Sequence, residues 1–332
     1  MDLTTRYLGI DLPHPFMPGA GPLADDLDTV KRLEDAGAAA IVMRSLFEEQ
    51  LEFEQMATAA LADTISGSFA EADSFLPFPH DFALGPEAYL EQLVRIREAV
   101  DIPVIASLNG TEGGFWLQYA RLIEQAGANA IELNIFDVET DMEISGSEVE
   151  TRLLLMVDRL REHVEIPIAV KLSPFYTAPL NLARSLARKG ADGLILFNRY
   201  FQADLDVANL EVERTMRLSD SSELPLRLRW LAILSARVQA SMAVTGGVHS
   251  TEDAVKALMC GADVVQVVSM LLREGPGALS LLVSGLYNWL EVNEYESLDA
   301  LRGSMNVSRC PDPSIYSRAN YIQLLQSFKS GS

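Results

Sequence analysis

Short, nearly continuous apolar runs rich in Val and Ile alternate along the chain with longer segments whose apolar residues recur at helical spacing. Eight of the runs predict strands, at 14–20, 38–44, 103–108, 130–136, 167–173, 193–198, 241–247 and 263–269. A run apolar at successive positions marks a strand buried on both faces, as in a parallel sheet covered by helices. The segments 25–36, 87–100, 113–126, 147–163, 178–189, 251–259 and 276–290 predict helices. A repeated joint links the two patterns: Ala36-Gly37-Ala38, Ala126-Gly127-Ala128, Lys189-Gly190-Ala191 and Cys260-Gly261-Ala262 each stand between a helix and a strand. Glycine ends a helix in the left-handed conformation, and a small residue then turns the chain into the sheet. Ile102-Pro103 and Ile166-Pro167 mark two further strand entries, since proline is tolerated at a strand's first residue. Eight βα steps predict an α/β fold of the TIM (β/α)8 barrel type over residues 1–302, with 303–332 as a C-terminal extension packing on the barrel or on a neighbouring subunit. An open doubly wound sheet is the weaker reading, because no G-x-G-x-x-G follows the first strand. Long loops follow strand two (about 46–86) and strand six (about 199–223). Both leave the C-terminal ends of strands, where barrels build active sites, and loops of that length usually cover one.

The chain has 332 residues and a formal net charge of −21. A surface so acidic repels phosphate backbones and anionic lipid, which argues against nucleic-acid and membrane-surface roles. No apolar stretch is long enough for a transmembrane helix, and Met1–Arg6 does not open a signal peptide, so a cytoplasmic protein is expected. The two cysteines, Cys260 and Cys310, imply no disulfide framework and cannot hold a four-cysteine cluster. His14, His80, His163 and His249 show no ligand spacing, so no metal is expected.

Candidate chemistry gathers at the predicted strand ends. Val244-Thr245-Gly246-Gly247-Val248 closes strand seven and Val265-Gln266-Val267-Val268-Ser269 closes strand eight. These two loops of a barrel commonly hold phosphate. Gly246 and Gly247 permit close backbone approach, and Ser269 adds a hydroxyl. The glycine loops alone suit a synthase or aldolase barrel equally well. Lys171 stands near the end of strand five, where a lysine inside an apolar strand calls for an anion or an electron-rich group. Arg44 and Ser45 end strand two, Asn109 follows strand three, Asn134 ends strand four and Asn198 ends strand six. Amides so placed can hydrogen-bond the edge of a planar heterocycle. Asp137 suits a general acid or base in a desolvating pocket, and equally a cap of the next turn.

With these residues in view, the chain resembles the dihydroorotate dehydrogenase family of FMN-dependent barrels, especially its soluble short-chain class. The likeness spans roughly residues 3–302 and rests on His14-Pro15-Phe16-Met17-Pro18-Gly19-Ala20-Gly21, Glu132-Leu133-Asn134, Val170-Lys171-Leu172-Ser173-Pro174 and Thr245-Gly246-Gly247. Cys260-Gly261-Ala262 and Arg273-Glu274-Gly275-Pro276 continue it. The resemblance implies FMN across the top of the barrel. Ala20 and Gly21 would pass close to its ring, and Lys171 would stabilise negative charge on the reduced ring. Gly246, Gly247, Val268 and Ser269 would hold its phosphate, with Arg44, Ser45, Asn109 and Asn198 beside the ring or its substrate face. It implies a dihydropyrimidine substrate that loses a proton to a base and a hydride to flavin N5. Asp137, Lys171 and Asn134 are the implied catalytic residues.

The sequence departs from the family's pattern at named places. Asp137 aligns with the short-chain class's cysteine base, Glu139 with a substrate asparagine, Arg44 with a lysine and Val268 with a phosphate-site glycine. No asparagine occurs between Arg44 and Asn109 to match the one in the family's loop after strand two. Carboxylates at 137 and 139 suit an anionic orotate poorly, which leaves a neutral or cationic substrate open. A homodimer is implied, and a soluble acceptor or a partner redox protein must reoxidise the flavin. The alternative to a free-standing enzyme is a flavoprotein subunit that passes electrons within a larger complex.

Overall fold

A computed structural model of the chain describes residues 1–48, 50, 85–110, 115–136, 138–200, 203–213, 217–316 and 320–327. The apolar runs form β1 (Phe16–Pro18), β2 (Ile41–Phe47), β3 (Val104–Asn109), β4 (Ala130–Asn134), β5 (Ile168–Leu172), β6 (Gly193–Leu196), β7 (Ser241–Thr245) and β8 (Val264–Val267). Every neighbouring pair is parallel, in the order β1-β8-β7-β6-β5-β4-β3-β2. The Ala39 N–H donates to the Phe16 carbonyl at 2.9 Å, which joins the first strand to the segment entering the second. Eight parallel strands brought round in this way, with helices between them, make a TIM barrel. The helices are α1 (Leu27–Asp35), α2 (Pro86–Ala99), α3 (Phe115–Gln125), α4 (Gly146–His163), α5 (Pro179–Arg188), α6 (Leu224–Leu234), α7 (Thr251–Met259) and α8 (Ala278–Val292). The joint glycines adopt the left-handed conformation expected of them, with φ of 88° at Gly37, 91° at Gly127, 101° at Gly190 and 107° at Gly261.

Residues alternate between two environments along each strand. Ile131, Leu133, Ile168, Val170, Leu194, Val244 and Val265 face outward into the main core with the helices. Ala130, Ala169, Ile195, Ala243 and Val264 face inward and pack in a second cluster with Tyr7, Leu8 and Leu12. Those last three belong to an N-terminal hairpin, Thr5–Tyr7 paired antiparallel with Ile10–Leu12. Its two-residue turn has Leu8 at φ 54° and Gly9 at φ 77°, both left-handed, the geometry that suits the twist of a tight hairpin. The hairpin plugs the N-terminal end of the barrel. A Cβ on Gly193 would lie 2.5 Å from Leu8 Cδ2, so β6 must begin with a glycine to admit the plug. One inward position further along, Ile105, Ala130, Ala169 and Val264 give way to Ser107, Glu132, Lys171 and Gln266, all buried. The barrel interior is therefore dry at one end and polar at the other, and the polar end is the C-terminal one.

Three features lie outside the sequence-based reading. α6 was not among the expected helices because Leu224, Leu226, Leu228 and Trp230 alternate as a strand would. It is a helix because Pro225 starts it and because Leu224, Arg227, Leu231 and Leu234 are buried on it. The hairpins at 5–12 and at Asp204–Asp206 with Glu211–Glu213 are built of strands too short to read by periodicity. Beyond residue 302, Gly303, Met305 and Val307 donate backbone hydrogen bonds to the carbonyls of Leu258, Met259 and Ala232, at the ends of α7 and α6. Residues 49 and 51–84 of the loop after β2, and 201–202 and 214–216 of the loop after β6, lie outside the described residues. Among the described residues no helix is long and apolar enough to cross a membrane.

Candidate active site

Lys171 rises from β5 into the mouth of the barrel. Its ammonium lies 3.1 Å from Glu132 Oε1, and Glu132 is fully buried. The second carboxylate oxygen accepts from Gln266 Nε2 at 3.0 Å. A buried carboxylate so held is electrostatically tied to the lysine, since each charge alone would be costly in this setting. Gln266 Oε1 is buried without a partner and lies beside Gly19. The amide layer comes next. Asn134 Nδ2 donates to Ser45 Oγ at 2.8 Å, and Ser45 Oγ shares a hydrogen bond of 2.8 Å with Ser107 Oγ. Asn198 Nδ2 donates to Asn134 Oδ1 and to the Ile135 carbonyl, while Asn109 Nδ2 donates to the Asn134 carbonyl at 2.7 Å. Lys171, Asn134, Asn198, Asn109 and Ser45 thus form one buried polar floor contributed by five strands or strand ends.

A second polar corner lies where β7 and β8 end. Gly246 and Gly247 have φ of 79° and 82°, so both need a residue without a Cβ. Side chains are excluded there in any case: a Cβ on Gly246 would lie 2.8 Å from Arg227 Nη2, and one on Gly247 2.7 Å from the Leu224 nitrogen. Arg227 is buried behind the turn, donating to the Thr245 and Glu223 carbonyls, and desolvation pushes its pKa down. The Gly247 N–H points to Ser219 Oγ at 3.4 Å, and His249 Nε2 lies 3.2 Å from the same hydroxyl. Ser269 Oγ accepts from the Ser219 N–H at 3.1 Å. A backbone amide, two hydroxyls and an imidazole converge within one corner in front of the Arg227 guanidinium, which is held by Thr245 and Glu223, and these donors suit a phosphate.

The dihydroorotate dehydrogenase family's sequence model matches residues 82–290, more than half of the chain. The chain belongs to the dihydroorotate dehydrogenase family. Among its relatives, dihydroorotate dehydrogenase B (NAD(+)), catalytic subunit, of Thermoplasma acidophilum is 23% identical over 315 residues, covering 91% of this chain and 98% of that protein. The protein of the same name from Endomicrobium trichonymphae is 25% identical over 320 residues, covering 93% and 98%. The NAD-dependent dihydropyrimidine dehydrogenase subunit PreA of Escherichia coli K12 is 22% identical over 336 residues, covering 93% of this chain and 78% of that protein. The chain is accordingly an oxidoreductase.

Not every residue expected at the family's site faces the mouth. Arg44 turns aside to Asp25 in the loop after β1, with contacts of 3.1 Å and 2.5 Å. Partial burial raises the Asp25 pKa, and Arg44 opposes that rise. The Val268 side chain lies against β1: its methyls are 3.1 Å from the Cβ positions that Gly19 and Gly21 lack. A Cβ at either glycine would crowd the valine. Ala20 lies between them, partly exposed. Asp137 lies outside the described residues. Glu139 pairs with Arg152, and hydrogen bonds from that guanidinium and from the Asp141 N–H hold its pKa below the usual carboxylate range. Glu132, Gln266 and Ser107 carried no role in the sequence-based reading. Counting back by two from Asn134 along a strand places Glu132 inside the barrel, so the signal was present. Ser219 and Arg227 gave no such signal, since the loop and helix that carry them meet the glycine turn only in three dimensions.

Proposed function

We propose that the protein is an FMN-dependent oxidoreductase that acts on a carbon–carbon single bond beside a carbonyl in dihydroorotate or a related dihydropyrimidine. The observation that carries this reading is the buried Lys171–Glu132 pair, at 3.1 Å, set under a floor of three asparagine amides and facing a phosphate-type corner at the ends of β7 and β8. The donors match the three chemical parts of FMN: cations and amides for the ring's polar edge, close backbone for its face, and hydroxyl and amide donors for its phosphate. The unpartnered Gln266 Oε1 beside Gly19 is a further polar atom available to a bound group. FMN, when bound, supplies the two-electron chemistry that side chains lack.

The chain's own residues bind, orient and move protons. Lys171 places a fixed positive charge where negative charge develops, and Glu132 with Gln266 keeps its ammonium from swinging away. Asn134 and Asn198 present amide groups to the substrate face, their orientations fixed by Ser45, Ser107 and the Ile135 carbonyl. Gly246, Gly247, Ser219 and Ser269 hold the phosphate. Asp137 is assigned the removal of the substrate proton, in the position where the short-chain class has a cysteine. We assign the protein to the cytoplasm and a homodimeric state. A second reading, a flavoprotein subunit within a larger redox complex, draws support from the relatives named as a catalytic subunit and as a dehydrogenase subunit.

Purified protein is expected to be yellow and to release FMN on denaturation. Lys171→Ala is expected to lose the flavin. Mixed anaerobically with a panel of dihydropyrimidines, the yellow band is expected to bleach with at least one. A colourless protein that takes up no added FMN refutes the reading. Co-purification of foreign subunits in fixed stoichiometry favours the complex over the free-standing dimer.

A further inference from the structure

A cavity of about 320 Å³ lies beyond the ends of β4, β5 and β6. Its wall is made of the chain that directly follows the amide floor: Ser173 stands two residues after Lys171, and Tyr200 two after Asn198. Phe175, Tyr176 and Tyr200 supply rings, and Glu139 and Glu150 supply carboxylates. Tyr200 is fixed in place, stacked on Phe136 with ring centres 4.5 Å apart and met edge-on by Phe175 at 5.4 Å. Phe175 is 69% exposed, so its ring face is open to a ligand in the cavity.

The charge of the wall is one-sided. Among the described residues no lysine or arginine lines the cavity. Arg152, the guanidinium beside it, is committed to Glu139. Glu150 makes no hydrogen bond or ion pair among the described residues. The N-terminus of α4, which would otherwise favour an anion, is closed by a capping box: Ser145 Oγ accepts from the Glu148 N–H at 3.3 Å, and the Glu148 carboxylate accepts from the Ser145 N–H at 2.7 Å. Aromatic faces and a free carboxylate attract a cation, and an anion finds no partner here.

We propose that this cavity receives the substrate's ring, and that the substrate is a flat heterocycle without negative charge, with a positively charged ring preferred over a neutral one. The proposal rests on the oxidoreductase reading above and narrows its substrate class away from carboxylate-bearing rings such as dihydroorotate.

Three probes of nearly equal shape test it: 1-methylnicotinamide (a cation), nicotinamide (neutral) and nicotinate (an anion). Each is titrated into the full-length protein as purified and followed by calorimetry. The cation is expected to bind about tenfold more tightly than the anion, with the neutral ring between them. Glu150→Gln is expected to reduce the preference for the cation over the neutral ring about threefold. Tyr200→Leu, with an unchanged circular dichroism spectrum, is expected to weaken all three about tenfold. Nicotinate binding as tight as that of 1-methylnicotinamide overturns the proposal, as does failure of the cation to bind at millimolar concentration. Flavin content, read from the same samples, separates the two readings. A yellow protein that prefers nicotinate defeats only the ligand class, whereas a colourless protein with the expected ranking defeats only the flavin.

Discussion

Replacing Lys171 by methionine tests whether the pair at the barrel mouth is structural or functional. The ammonium and the Glu132 carboxylate are 3.1 Å apart with side-chain exposures of 8% and 0%. At that separation, an effective dielectric of about 20 gives an attraction on the order of 5 kcal/mol. Losing one partner also strands Glu132 as a buried charge held, among the described residues, only by Gln266 Nε2. Breaking such a pair from one side costs about 3–5 kcal/mol. For a chain of 332 residues, unfolding entropy scaled by length converts that into a fall in Tm of about 6 °C. Lys171→Met is therefore expected to be markedly less stable in urea when measured without flavin. Glu132→Gln keeps an acceptor for Gln266, and combining it with Lys171→Met removes both charges. The double variant is expected to recover about 2 kcal/mol relative to Lys171→Met alone. It is expected to regain stability without regaining FMN, because the cation that faces the ring is still missing. Urea melts followed by circular dichroism give the first quantity, and flavin content after saturation and gel filtration gives the second. A double variant no more stable than the single one would refute the electrostatic coupling. A double variant that binds FMN normally would refute the assigned role of the lysine charge.

Gly247→Ala places a Cβ at φ 82° and 2.7 Å from the Leu224 nitrogen, so it is expected to lose about 2 kcal/mol of stability and at least tenfold in FMN affinity, measured by urea titration and flavin release. Asp137→Ala is expected to keep its flavin and to lose turnover by at least about a hundredfold, together with the acid limb of the pH profile; unchanged turnover argues against the base. At pH 8, a thiol reagent is expected to modify Cys310 in the native protein and Cys260 only after unfolding, because burial pushes the Cys260 thiol up to about 11. Its raised value means that the unfolded chain ionises first, so stability falls as pH rises between about 9 and 11; Cys260→Ala is expected to flatten that slope in urea melts.

The barrel was legible because each strand carries its evidence locally. Val264–Val267 is apolar except at the inward-facing Gln266, and Gly261 ahead of it takes the φ of 107° that a helix-ending glycine adopts readily. Lys171 was legible for the same reason, as one charge in an apolar run. Its partner was not, because Glu132 and Lys171 are 39 residues apart and meet only when β4 and β5 align Asn134 with Lys171. Arg44 was expected to end strand two, but β2 runs on to Phe47, and the ion pair of Arg44 with Asp25 depends on how the loop after β1 returns toward β2. The spacing of polar residues along one strand reveals which face they share. It does not reveal which strand lies opposite, and the site is made of such pairings.

The mouth divides into two halves that differ in how tightly their residues are held. The half built from β5, β7 and β8 holds Lys171, Gly246 and Gly247, whose neighbours leave no room for change: an ion pair beneath the lysine, and Arg227 and Leu224 packed where a Cβ would go. Val268 is packed closely from the other side, since a Cβ on Gly19 or Gly21 would lie 3.1 Å from its methyls. The half built from the segments after β4 and β5 is exposed at Val138, Phe175 and Met142. Substitutions there are expected to alter ligand chemistry without disturbing the core. On the reading proposed here, the constrained half meets the cofactor common to the family, and the permissive half meets the substrate that differs. Exchanging Glu139 and Glu150 together for asparagine and glutamine is then expected to leave FMN binding within about twofold while erasing the preference for a cationic ring. Loss of flavin in that variant would contradict the division, because neither residue touches the half that is proposed to hold it.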